Sequence, residues 1–235
     1  MLTPQMKLQR VQICRELLAK FDEDGEDFLR QIVTGDESWV HRYDPESKEY
    51  RHITSPSQKK FKVFSSARKV LLMIFWDSEG VVYTEFLEQG NTVNSTKYMN
   101  ILEKLKARLR RVGSEKVSII HHDNARPHTS FETRTVLDRL GLRTLPHPPY
   151  SPDLAPSAFF LFPKLKDYLK GNRYETDEDV KNAVLSLCRD KTADFFADGI
   201  QQVAHRWRLC IERDGDYVEK MLCHLVLNKM TFHLV

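Results

Sequence analysis

Seven consecutive apolar residues, Val70 to Trp76, stop at Asp77-Ser78-Glu79-Gly80, and a second run resumes from Val81 to Leu87. Two such runs around a short polar turn predict a β-hairpin, and a chain that starts its core this way is committed to a sheet that other elements must cover. Upstream, Ile32 to Tyr43 suits a third strand, so three antiparallel strands come first. A helix follows from near Ser95, with Tyr98, Ile101, Leu102, Leu105 and Leu109 on one face and Lys97, Lys104, Arg108 and Arg111 largely elsewhere. Val117 to His122 reads as the next strand. A second helix is expected with Thr129 and Glu132 in capping-box spacing, Val136 and Leu140 on one face, and Gly141 as its stop. Arg143 to Leu145 can supply a fifth strand before the proline-rich turn Pro146 to Pro156. From Thr176 to Lys220 the pattern is helical, with Val180, Ala183, Val184 and Leu187 on one face and Val203, Trp207 and Ile211 on another.

The order of three strands, helix, strand, helix, strand, helix predicts an α/β protein: a ribonuclease H-like mixed five-stranded sheet flanked by helices. Two segments stand outside that series. Thr3-Pro4, followed by Leu8, Val11, Leu17 and Leu18, has the cap, first-turn proline and spacing of an amphipathic helix, and Glu26 to Arg30 reads as a short second helix. Asp44 to Ser66 is polar, carries Pro45 and Pro56, and ends near Lys59, Lys60 and Lys62, which predicts an inserted long loop or hairpin, a feature usually tied to function.

With 235 residues the chain can bury a substantial core, and 29% charged against 41% hydrophobic residues excludes disorder as the default. The balance of 36 Lys and Arg against 33 Asp and Glu permits a nucleic-acid partner without requiring one. Cys14, Cys188, Cys210 and Cys223 lie too far apart for zinc or redox motifs and read as reduced, intracellular thiols. No segment suits a membrane span, and Asn94-Ser95-Thr96, although a sequon, reads as a helix cap.

Chemistry concentrates where strands end. His121-His122-Asp123-Asn124-Ala125-Arg126-Pro127-His128 follows the apolar run Val117 to Ile120 and puts Asp123 at a strand exit. Val33-Thr34-Gly35-Asp36-Glu37-Ser38-Trp39 supplies a second carboxylate, and Tyr150-Ser151-Pro152-Asp153-Leu154-Ala155-Pro156-Ser157-Ala158 opens a helical segment. Each block alone has a plainer explanation, Asp36 as a turn residue and Asp123 as the organiser of the Asn124 to His128 turn. His121, His122 and His128 lack a fourth soft ligand and read as packing and hydrogen-bonding groups. Glu37 points to the opposite face from Asp36 and reads as no ligand.

Taken together and in this order, the three blocks resemble the catalytic domain of mariner-family DNA transposases, and the resemblance extends from about Leu2 to Lys220. In that family a third aspartate follows the second after thirty-four residues, and thirty-four intervene between Asp123 and Ala158. The resemblance implies Asp36 and Asp123 as catalytic, metal-binding carboxylates for Mg²⁺ or Mn²⁺, with Ala158 at the position of the missing third. Asp153, the nearby acid that could substitute, reads first as a turn or helix-start residue. Implied too are a DNA partner, a homodimer, a nuclear location, and a DNA-contacting clamp loop over Asp44 to Lys69.

A linker helix region over 1–25, a catalytic domain over 26–220 and a tail over 221–235 complete the expected organisation. The family's paired helix-turn-helix domains, which read transposon ends, have no counterpart in this sequence. Lys59, Lys60, Lys62, Arg68, Lys69 and Arg126 are the expected DNA contacts, against the plainer reading of a solvated basic loop. Trp39, Trp76 and Trp207 read as core aromatics. Two functions remain open: a transposase domain of metal-dependent DNA cleavage and strand-transfer ancestry, its activity lost or strongly reduced, and a noncatalytic DNA-binding and dimerisation module.

Overall fold

The computed structural model describes residues 2–45, 68–87, 90, 92–111 and 118–218. Lys59, Lys60, Lys62, most of the expected clamp loop and the tail over 221–235 lie outside these residues. Helices α1 (Pro4–Asp24) and α2 (Glu26–Arg30) precede strands β1 (Ile32–His41), β2 (Lys69–Trp76) and β3 (Val81–Leu87). Then come α3 (Ser95–Arg111), β4 (Ile119–His121), α4 (Arg126–Thr129), α5 (Phe131–Arg139) and β5 (Arg143–Thr144). A 3₁₀ turn at Pro152–Leu154 and a π turn at Ser157–Leu161 lead into α6 (Phe162–Leu169), α7 (Asp177–Asp190) and α8 (Ala193–Glu212).

The five strands form one mixed sheet in the order β3-β2-β1-β4-β5. The β1–β2 and β2–β3 pairs are antiparallel, whereas β1–β4 and β4–β5 are parallel, as their helical crossovers require. β2 carries apolar residues on both faces and is buried throughout except at Lys69, because both faces are covered. On one face Leu72, Ile74 and Trp76 join Cys14 and Leu17 of α1, Leu165 of α6, Val184 of α7 and Trp207 of α8. On the other, Met73 and Phe75 meet Tyr98, Leu102 and Leu105 of α3 and Leu137 of α5.

Local chemistry sets the element ends. Thr3 accepts from the Met6 N–H and Pro4 opens α1, while the Asn94 carboxamide oxygen accepts from the Lys97 N–H at 2.8 Å and starts α3. α7 begins with a capping box between Thr176 and Asp179. The expected start of the second core helix needs correction: Ser130, not Thr129, caps α5, accepting from the Thr133 N–H, and Thr129 instead closes the one-turn α4. Two hydroxyls stand side by side, and the turn through Pro127 gives the cap to the second. Gly141 stops α5 in the left-handed region, at φ 63°. Trp76 and Trp207 are buried, but Trp39 is half-buried, with the Lys69 ammonium 4.2 Å above its ring. Among the described residues no helix is long and apolar enough to cross a membrane.

Candidate active site

Parallel pairing of β1 with β4 aligns Ile32 with Ile119, Val33 with Ile120 and Thr34 with His121. Continued by two residues, the same register brings Asp36 level with Asp123, on strands about 4.8 Å apart. The register is held from the other side of β1 as well. A Cβ on Gly35 would lie 2.3 Å from the Phe75 ring, so only glycine lets β2 close over the strand at that point.

In both carboxylates Oδ1 is the oxygen bound to the protein. Asp36 Oδ1 accepts from the Glu37 N–H at 2.7 Å. Asp123 Oδ1 accepts from the Ala125 N–H at 2.9 Å and from His128 Nδ1 at 2.8 Å. In each case the second oxygen, Oδ2, accepts no hydrogen bond among the described residues. Their electrostatics differ. Burial pushes the Asp36 carboxyl up to about 7, with the Glu37 and Asp123 charges adding to the effect. Burial also opposes ionisation of Asp123, but the hydrogen bonds from His128 and the Ala125 N–H outweigh it and hold that carboxyl at about 2.

His128 is the hub of the β4 side. Its Nδ1 meets Asp123 and its Nε2 lies 3.1 Å from Glu37 Oε1, so a buried imidazole bridges two carboxylates. Burial disfavours its charge, yet the bonds to Asp123 and Glu37 raise it to about 9, and it donates to both as an imidazolium. The ring packs in a triangle of aromatics, with Tyr98 4.2 Å away and tilted, His122 5.1 Å away and near-parallel, and those two rings 5.8 Å from each other. The Tyr98 hydroxyl lies 2.6 Å from His122 Nδ1, and burial pushes His122 down to about 3, so it stays neutral. Behind them His121 Nε2 and His147 Nδ1 are 3.0 Å apart, and Asn124 donates to the His147 carbonyl, tying the Asp123 loop to the turn after β5. The histidines therefore pack and hydrogen-bond.

The opposite wall is built from the π turn. Pro163 has no N–H to give Phe159, and the Phe162 N–H reaches back five residues to the Ser157 carbonyl, which widens the turn. Ser157 is fully buried and accepts from the Trp76 indole at 3.0 Å, fixing this turn against β2. Ala158 thereby borders a cleft of about 560 Å³ that Asp36, Glu37, Phe162, Lys166 and Lys170 also line. Asp44 and Asp167 line it too, but Asp167 pairs with Lys170, and among the described residues no three His, Cys, Asp or Glu side chains converge as a metal site. Asp153 cannot reach inward: buried at 2% exposure, it takes a two-point bond from Arg10, at 2.9 and 2.7 Å, and another from the Val218 N–H.

Asp36 and Ala158 thus line one cleft, the β1–β4 register sets Asp123 beside Asp36, and the exposed Arg126 sits three residues beyond Asp123. Arg68 and Lys69 are elsewhere. Lys69 pairs with His41, five residues along β1 from Asp36, which is about 17 Å. Sequence reasoning missed Glu37 and Tyr98 as parts of the site, and also Lys166 and Lys170. The lysines had a signal, since 158, 162, 166 and 170 recur at every fourth position. The Glu37–His128 contact had none, because it joins residues that only the sheet brings together.

A family model for Transposase (partial DDE domain) matches residues 40–119. Over 217 residues the chain is 35% identical to the Mariner Mos1 transposase of Drosophila mauritiana, covering 90% of this chain and 62% of that protein. Over 224 residues it is 34% identical to the Homo sapiens histone-lysine N-methyltransferase SETMAR, covering 93% of this chain and 32% of that protein. The chain therefore spans less than two thirds of either relative. Among solved structures, the Mos1 mariner paired end complex with Mn matches with a TM-score of 0.85 at 34% identity, over 92% of this chain and 64% of that one. The isolated catalytic domain of Mos1 matches with a TM-score of 0.78 at 32% identity, over 92% of this chain and 97% of that one. A fold shared with that domain, at 32% identity and over nearly its whole length, makes the chain a member of the mariner transposase family, a ribonuclease H-like DDE catalytic domain.

Proposed function

We propose that this chain is a DNA phosphoryl-transfer domain that keeps two of its three metal-binding carboxylates, Asp36 and Asp123, and has lost the third at Ala158. The observation that carries the reading is a pair of aspartates side by side, Asp36 on β1 and Asp123 just past the end of the parallel β4, each with Oδ1 hydrogen-bonded and Oδ2 accepting no bond among the described residues. Hard carboxylate oxygens so arranged suit Mg²⁺ or Mn²⁺, and Mos1 complexes with each ion are known. When bound, two such ions activate the attacking oxygen of a DNA phosphodiester substitution and stabilise the leaving one.

The protein's own part is positioning. Asp123 is ionised across the working range, whereas Asp36 must give up a proton near neutrality before it can act as a ligand. The cleft of about 560 Å³ beside Ala158 is the proposed approach of the nucleic-acid strand, and Lys166 and Lys170 offer positive charge to its phosphates. DNA as partner is supported by Mos1 complexes solved with a transposon end. Without an oxygen at 158, the second ion loses a ligand and most of the rate acceleration goes with it. A homodimer, as the family resemblance implies, is part of this reading.

Ala158→Asp tests it. The revertant is expected to nick DNA only with Mg²⁺ or Mn²⁺, at least about 10²-fold faster than the unaltered chain. A revertant that folds and binds Mn²⁺ yet cuts nothing would falsify the assignment. The second reading, a noncatalytic DNA-binding module, is favoured by the two lysines beside a cleft short of one carboxylate. It predicts salt-sensitive DNA binding by the unaltered chain in chelator.

A further inference from the structure

We propose that His128 is a positioning residue, a rigid pin set between Asp123 and Glu37 that turns the open oxygen of Asp123 toward the site it shares with Asp36. The inference rests on reading Asp36 and Asp123 as a cation site. It starts from how completely the ring is fixed. His128 is 2% exposed, Tyr98 and His122 both pack against it, and each ring nitrogen meets a different carboxylate. A side chain with no freedom can transmit direction. Both hydrogen bonds to Asp123 converge on Oδ1, one from the imidazole and one from the Ala125 N–H, and together they set the χ angles that aim Oδ2.

Glu37 gives the arrangement its second fixed point. It follows Asp36 on β1 and so leaves the strand on the other face, where it takes His128 Nε2. The chain Glu37–His128–Asp123 thereby links the exit of β4 to the strand that carries Asp36. A movement of Asp123 relative to Asp36 must break a bond to the imidazole or tilt a ring packed against Tyr98 and His122. Packing alone requires no such pairing, since an apolar ring against Tyr98 and His122 would fill the same space.

Two substitutions separate the nitrogens. In His128→Asn the amide nitrogen takes the place of Nδ1 and keeps the bond to Asp123, whereas in His128→Gln it takes the place of Nε2 and keeps only the bond to Glu37. Titrating the full chain with Mn²⁺, we expect His128→Asn to stay within about threefold of the unaltered protein and His128→Gln to lose about 10- to 100-fold in affinity. Equal losses would reduce His128 to a structural residue, and no loss in either would remove it from the site; both results overturn the proposal.

Nitrogen-15 spectra of the metal-free chain supply a readout that needs neither metal nor folded His128 variants. Asp123→Asn should move the Nδ1 resonance of His128 and Glu37→Gln the Nε2 resonance. If Asp123→Asn leaves Nδ1 unmoved, the pin does not exist. If the resonances respond as expected but the unaltered chain binds no Mn²⁺, the cation-site reading fails and the pin stands.

Discussion

The β4–α4 wall and the π-turn wall both border Asp36, yet one is crowded with interlocked polar groups and the other opens on a cleft. On the first, Asp123, His128, Glu37, His122 and Tyr98 are linked by hydrogen bonds and stacked rings, and Tyr98 is also a fully buried member of the α3 core. On the second, Ala158 is half-buried beside the cleft, while its neighbours Ser157 and Phe160 do the packing. A residue that also holds a core together is costly to replace. A carboxylate whose only partner is an ion can be lost with little effect on folding, and Ala158, the proposed place of the third ligand, falls on that wall.

The largest test of this contrast removes what fixes the open wall from behind. Arg10→Ala leaves Asp153 buried without its guanidinium and should destabilise the protein by about 3–5 kcal/mol in chemical denaturation; a loss below about 1 kcal/mol would mean that the segment before Ala158 is held by other contacts. Next, Ala158→Asp should leave stability within about 0.5 kcal/mol while tightening Mn²⁺ binding by roughly 10²-fold, about 2.7 kcal/mol. A revertant that unfolds easily would show that position 158 has a packing duty after all.

The third test is pH. If Asp36 is a metal ligand as proposed, binding needs it ionised, and its carboxyl stands near 7, so protons compete below that value. Mn²⁺ affinity should fall by up to about tenfold per unit as pH drops below 7 and level off above it, since Asp123 at about 2 is already charged. A flat profile from pH 5.5 to 8.5 contradicts the burial argument. Smallest is Tyr98→Phe, which removes the hydroxyl facing His122 and should cost about 1 kcal/mol in thermal or urea unfolding. An unchanged midpoint would place the strength of the crowded wall in ring packing alone.

Much of this molecule was legible before its coordinates. Strand runs such as Val70 to Trp76 and the helix face from Tyr98 to Leu109 follow from periodicity, which depends on nearest neighbours along the chain. Asp36 and Asp123 stood out because each sits where an apolar run gives way to polar sequence. The Glu37–His128 bridge was not legible, since residue 37 meets residue 128 only through the β1–β4 register. Trp39 was misread as a core aromatic because hydrophobicity does not reveal that one face is covered by a lysine. The capping-box pattern at Thr129 was outcompeted by its neighbour Ser130.

The five residues Ser157 to Leu161 are coiled more loosely than an α-helix, with the Phe162 amide reaching Ser157 rather than Ala158. In an α-helix each residue advances about 100° around the axis, so tightening this stretch by one residue would swing everything on one side of it by about that angle relative to the other. Whatever side chain occupies 158 is therefore aimed by the proline at 163 as much as by its own chemistry. On the proposed reading, gaining a ligand here depends on keeping the slack in the coil, and shortening the stretch by a single residue would turn even an aspartate introduced at 158 away from Asp36.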